Sequence, residues 1–202
     1  MNNNNTDIKF NDFTNQPLIP YKILEALLKS NSDSANNLFK LLKYNDIDCL
    51  SKPNLTLKEK KALIWRGQDI ENNYNIFVKP LVSSSLVDSE SQSQMRIYRY
   101  STYPENKIDA TISIQLVFLT NDKASLVDVD GILCERTDVM ESEFLNVING
   151  RDIQIGTGYI SFDRQVIRQN TSQINISNSR SVYGRSLLIS LKYTYLSHDD
   201  CS

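Results

Sequence analysis

The segment KIDATISIQLVFLT, residues 107–120, constrains the fold more than any other stretch of the chain. Ile112, Ile114, Leu116 and Phe118 alternate there with Thr111, Ser113 and Gln115. Strand side chains point to opposite faces in turn, so this spacing predicts one face packed on a core and one in polar surroundings. That pattern belongs to an antiparallel sheet, because strands of parallel sheets are covered on both faces and read as unbroken apolar runs. Neighbouring segments supply candidate partners. MRIYRYSTY is rich in aromatic and β-branched residues, which favour strands. Arg185–Leu196 alternates again, with Leu187, Ile189, Leu191 and Tyr193 predicted inward. IFVKPLV reads as a strand that Pro80 restricts to an edge or a bulge, since proline cannot donate to a ladder. DIQIGTGYISF reads as a further strand carrying two glycines, and residues 83–94 as a loop of turn-forming residues.

The first third of the chain has a different period. Pro20 opens a helix with Ile23, Leu24, Leu27 and Leu28 on one face, and a second helix over residues 35–44 buries Leu38, Phe39, Leu41 and Leu42. Thr56 and Glu59 have the spacing of a capping box, which predicts a third helix carrying Ala62, Leu63 and Trp65 and ended by Gly67. A later helix is predicted from Leu133, Arg136, Met140, Phe144 and Val147, closed by Asn149–Gly150; at about 16 residues it spans roughly 24 Å. The expected fold is therefore α+β: a mainly antiparallel sheet covered by one long helix, with an N-terminal helical subregion. The expected organisation is an extended arm at 1–19, a helical region at 20–74 and an α+β body at 75–202, the last two forming one continuous fold.

Composition excludes several functions. Lys and Arg total 22 and Asp and Glu 24 in 202 residues, a net charge of −2 that lacks the cationic excess of a nucleic-acid-binding surface. A single histidine excludes a multi-histidine metal site within one chain. Three cysteines, Cys49, Cys134 and Cys201, are odd in number and widely spaced, which fits reduced thiols better than a disulfide framework. No secretory signal pattern and no apolar run long enough to span a bilayer is expected, so no membrane partner is assigned.

Catalytic motifs are sparse. His198, Asp199, Asp200 and Cys201 lie together at the C-terminus, where a solvated tail is the simpler reading than a metal clasp. Gly156 and Gly158 lack the third glycine of a dinucleotide fingerprint, and Ser161 stands in its place. The VDVDG segment lacks the first acidic residue of a calcium loop, so Asp130–Gly131 reads as turn chemistry before an acidic helix start. Glu141 and Glu143 are two apart on a helix and point to different faces. No catalytic residue, cofactor or metal is assigned.

Arg96 and Arg99 interleave with Tyr98, Tyr100 and Tyr103. Such a strand reads first as an ordinary exposed face, next as a protein interface, which enriches Tyr and Arg, and last as a stacking surface for single-stranded bases. The candidate interface comprises Arg96 and Tyr98 on this strand, and Phe10 and Phe13 in the arm. It extends to Leu86 and Val87 in the 83–94 loop, and to Arg164, Arg168 and Arg180 in the polar stretch after residue 163.

Four segments carry a family resemblance: LLKYNDIDCLSKPNLTLKEKKALIW, KIDATISIQLVFLT, VINGRDIQIGTGYISF and YGRSLLISLKYTYL. Together, over residues 36–196, they resemble small virion proteins of tailed bacteriophages that lie in the neck between portal and tail. The order of a helix on a sheet is also similar to tail terminators. The resemblance implies a structural protein without turnover that forms a homo-oligomeric ring. Its expected partners are the tail tube or sheath and the connector proteins, and DNA passes through the lumen without sequence-specific binding. It implies a place in the virion after assembly in the host cytoplasm. The helical first third exceeds what a minimal terminator needs, which leaves terminator, connector adaptor and head-closure protein open. A β-rich sugar- or peptide-binding module, with Tyr98, Tyr100 and Tyr103 as its platform, is the alternative reading of the residues.

Overall fold

The structure is a computed structural model that describes residues 17–67, 74–80, 93–104, 109–148, 153–155, 158–160, 171–175 and 182–194. Four α-helices are described: α1 (Ile19–Lys29), α2 (Asp33–Lys43), α3 (Leu57–Ala62) and α4 (Arg136–Ile148). The strands are β1 (Ile76–Phe77), β2 (Gln94–Pro104), β3 (Asp109–Asn121), β4 (Leu126–Val129), β5 (Ile132–Glu135), β6 (Ile153–Ile155), β7 (Gly158–Ile160), β8 (Thr171–Asn175) and β9 (Val182–Thr194). Five of them form the main sheet in the order β1-β2-β3-β9-β8. Its ladders are antiparallel except for β1, which runs parallel to β2 at the edge. The α+β class and the mainly antiparallel sheet hold.

Register sorts the central strands into two faces. Phe118 pairs with Met95 and Arg185, Leu116 with Ile97 and Leu187, and Ile114 with Ile189. These positions share the face on which Ile112, Ile114, Leu116 and Phe118 are fully buried. The opposite face is less open than alternation predicts. Ser113, Val117 and Leu119 lie on it and are buried too. Gly184 sits there opposite Leu119, and a Cβ at that position would collide with the carbonyl oxygen of Phe118.

Helices and sheet share one apolar cluster that runs from Ile19, Leu27 and Phe39 through Phe118 to Phe144 and Ile189. The α2 stripe is buried as its spacing predicts, and so is that of α1 except for Leu28, which is half-buried. Two polar links fasten α4. Arg185 on β9 bonds Asp138 at 2.9 Å and Glu141 at 2.7 Å, and Asn37 on α2 donates to Glu143 at 2.9 Å. The Phe118 and Phe144 rings meet edge to face at 5.8 Å, a geometry that the ring quadrupoles favour.

Three expectations need correction. The later helix is shorter than expected: α4 has 13 residues, about 20 Å, and starts at Arg136. The four residues Ile132–Glu135, expected to lead into it, form β5 and pair with β4. The turn Asp130–Gly131 decides this: φ is 52° and 85°, the positive pair that a two-residue hairpin turn requires. It is a hairpin turn and not a helix start. The capping box of α3 is present, and Lys43, followed by the Thr56 amide and hydroxyl, draws the Glu59 carboxyl down to about 2. Yet α3 stops at Ala62, short of Leu63 and Trp65, because the sheet takes the chain: the Leu63 carbonyl accepts the Asn75 and Ile76 amides, and Ile64 bridges to Ile76.

The junction between α2, the hairpin and α4 is organised by one side chain. Arg136 is fully buried, and its guanidinium donates to the carbonyls of Leu41, Tyr44, Asn45, Asp46, Ala124 and Leu126. The Cys49 Sγ lies 3.5 Å from Nη1. The last carbonyls of a helix lack intrahelical partners and carry the negative end of its dipole, so a cation satisfies both at the end of α2.

Replacing Arg136 with Met is expected to cost about 3 kcal/mol or more, because several buried carbonyls lose their donor together. Phe118→Ala is expected to cost about 3–5 kcal/mol through the lost burial and the cavity it leaves. Urea unfolding of the two variants measures both; a loss below about 1 kcal/mol in either would contradict the assigned role.

Candidate protein interface

Of the sequence candidates, Arg96 and Tyr98 fall on described residues. Phe10, Phe13, Leu86, Val87, Arg164, Arg168 and Arg180 lie outside them, as do His198, Asp199, Asp200 and Cys201. Both Arg96 and Tyr98 are on β2, on the face opposite the helices, where they pair with Val117 and Gln115. Neither is freely exposed. The Tyr98 hydroxyl donates to Gln115 Oε1 at 2.7 Å, and Gln115 Nε2 donates to Ser186 Oγ at 2.7 Å. This relay crosses β2, β3 and β9 and locks the middle of the face.

Arg96 donates from Nη2 to Gln94 Oε1 at 3.4 Å, and its buried Nε has no partner among the described residues. Burial lowers the guanidinium below its ordinary value, and the Tyr98 phenol opposes that shift. The Lys79 ammonium is lowered by burial and then by the charge of Arg96. It sits 3.8 Å over the Trp65 ring, which in turn lies 6.4 Å from Phe77. Trp65, expected on a helix, lies beyond α3 with its amide donating to the Ile76 carbonyl, and so reaches this cationic edge.

A bulge rearranges the tyrosines. The β2–β3 register shifts between Arg99 and Ser101, leaving Tyr100 without a partner in β3. Five residues apart, Tyr98 and Tyr103 would face opposite ways on a regular strand; the extra residue returns Tyr103 to the Tyr98 face. Tyr100 and Tyr103 are each 64% exposed. The three rings therefore do not form a uniform platform, because Tyr98 is part of the hydrogen-bonded relay while the other two are open.

A second exposed surface was not anticipated. On the β4–β5 hairpin Leu126, Ile132 and Leu133 are 43%, 67% and 58% exposed, and Ile47 beside it is 48% exposed. The hairpin is fastened by the Asp128 amide, which donates to the Ile47 carbonyl at 2.8 Å. An Asp–Gly turn between apolar runs was the available signal, obscured by the helical spacing of Leu133 with the residues that follow.

Among the described residues no group of three or more His, Cys, Asp or Glu is placed to hold a metal ion, and no helix is long and apolar enough to cross a membrane. No protein-family model matches the chain. No curated protein matches it either.

Burial raises the Tyr98 phenol above its ordinary value, with Arg96 opposing the shift. A raised value keeps the neutral phenol in the folded state, so its contribution is complete below the unfolded value near 10 and is lost as pH rises through the folded one. Tyr98→Phe is expected to flatten the alkaline fall in stability, read from urea midpoints across that range. An unchanged slope would show that the phenol is not held in this way.

Proposed function

We propose that the chain is a structural subunit of a tailed-bacteriophage neck, a tail terminator or connector subunit that forms a ring at the head–tail junction. In this reading it joins the tail tube or sheath to the connector proteins, lets DNA pass through the lumen, and resides in the virion after assembly in the host cytoplasm. The observation that carries the reading is the apolar hairpin β4–β5, exposed yet fastened to the fold. Large apolar side chains gathered on a held element mark contact with another protein. The family resemblance supplies the kind of protein, and the small net charge suits a lumen through which DNA moves without being held. Ring contacts join two different faces of neighbouring copies, so such a subunit needs two distinct adhesive surfaces.

The exposed Tyr100 and Tyr103 favour a second reading, a β-rich module that binds sugar or peptide. Particles assembled without the chain separate the two. A neck subunit leaves heads and tails that fail to join, seen by electron microscopy, and the purified chain added back restores joining. Normally joined particles, together with glycan-array binding lost on Tyr103→Ala, would replace the first reading by the second.

A further inference from the structure

The register of the β4–β5 hairpin separates its two faces. Val127 pairs with Cys134 and Val129 with Ile132. Val127, Val129 and Cys134 pack against the core, and Ile132 stands open at the tip. On the outer face Leu126 lies opposite Glu135, and Leu133 opposite Asp128. Each leucine therefore has a carboxylate as its cross-strand neighbour, and the two leucines are neighbours on the diagonal. Both are open to solvent. Ile47, exposed as well, runs alongside β4, where its carbonyl holds the Asp128 amide.

The carboxylates of this surface keep their charge. Asp128 accepts the Gly131 amide at 2.7 Å and Glu135 the Thr137 hydroxyl at 3.4 Å, bonds to neutral groups. Among the described residues neither of them, nor Asp130, belongs to an ion pair. The cations nearby are outnumbered. Lys52 is shared by Asp46 and Asp48, which flank Ile47, and Arg185 by Asp138 and Glu141. Lys123, in the turn before β4, follows Asp122. The surface thus joins exposed leucines to unneutralised negative charge.

That combination chooses among the occupants an exposed apolar face can take. Nucleic acid and an anionic bilayer surface carry the same sign as the hairpin and are repelled. A small molecule needs a concave site, which a two-stranded ribbon does not form. A second hairpin laid against the first brings carboxylates together, and a chain with a net charge of −2 has no cationic excess to offer from elsewhere.

We infer that the outer face of the β4–β5 hairpin docks a segment of a different protein, one that presents apolar side chains flanked by lysine or arginine. The apolar side chains cover Leu126 and Leu133, while the cations meet Asp128 and Glu135. Attraction between the charges steers the encounter, and removal of the leucines from water holds the contact. This contact rests on the reading of the hairpin as an adhesive surface and adds the chemistry of what adheres to it.

The test titrates the isotope-labelled full chain with three short peptides of equal length, read by amide NMR shifts. One alternates Leu with Lys, one Ser with Lys, and one Leu with Glu. The Leu–Lys peptide is expected to shift the amides of residues 126–135 and of Ile47, and to bind more weakly as salt rises. The other two, each lacking half of the chemistry, are expected to bind at least about tenfold more weakly. Leu133→Thr keeps a strand former at an exposed position, and Asp130→Asn/Glu135→Gln keeps a turn of the favoured Asn–Gly type. Each variant is expected to weaken the Leu–Lys peptide at least about tenfold, with its folding checked by the urea midpoint.

A Leu–Lys peptide that fails to bind at millimolar concentration, or shifts amides elsewhere, would overturn the inference. So would variants that bind it like wild type, or a Leu–Glu peptide that binds as well. Sedimentation of the chain alone, and with vesicles containing phosphatidylglycerol, tests the other occupants. Self-association or vesicle binding that Leu133→Thr abolishes would assign the face to a second copy or to a membrane and overturn the inference equally. Those outcomes leave the neck reading standing, because it is judged on the joining of heads to tails. Joined particles in the absence of the chain would remove the neck reading while leaving a measured hairpin contact in place.

Discussion

The structure turns on a guanidinium with no carboxylate in its described bonding shell. Arg136 is fully buried among backbone carbonyls from the end of α2, the loop after it and the chain entering β4. Burying a charge is costly unless its donors are satisfied. Here the acceptors are dipoles that would themselves be orphaned by burial, so one side chain answers two problems. The planar fork can reach several carbonyls at once, which a lysine ammonium at a single point cannot. Arg136 is also the first residue of α4, a position where its own helix dipole disfavours a cation. The side chain crosses instead to the negative end of α2 and ties the start of α4 to it.

This arrangement explains how a two-stranded hairpin stands apart from the main sheet. Such a unit has little stability in isolation. Its first strand is tied to the hub through the Leu126 carbonyl and to the preceding loop through Asp128, while the Arg136 amide donates to Ser125 at 2.7 Å. Val127 alone is fully buried beneath it. The hairpin is thus held by polar contacts to the backbone and by Val127, Val129 and Cys134 against the core, which leaves Leu126, Ile132 and Leu133 open.

Much of the sheet was legible because the signals are local. The alternation around Ile112–Phe118 and the stripes of α1 and α2 each concern side chains a few positions apart, and the Thr56–Glu59 cap lies within one turn. What was not legible depends on distant partners. Arg136 bonds carbonyls some ninety positions earlier, and carbonyls leave no mark in a sequence. The β2 bulge follows from its pairing with β3, so the placement of Tyr103 on the Tyr98 face could not be read from β2 alone. The spacing of Leu133, Arg136 and Met140 fits a helix as well as it fits a hairpin running into one, and the backbone of Asp130–Gly131 resolved that ambiguity.

Exposed apolar strands are a hazard that proteins usually suppress with charge at the edge, short length or a covering element. The β4–β5 hairpin has the first two safeguards: three carboxylate residues in ten positions, and strands of four residues. Charge of one sign restricts which surfaces it can approach, since an acidic strand repels its own copy edge to edge. The same carboxylates therefore oppose indiscriminate pairing along the hairpin edge.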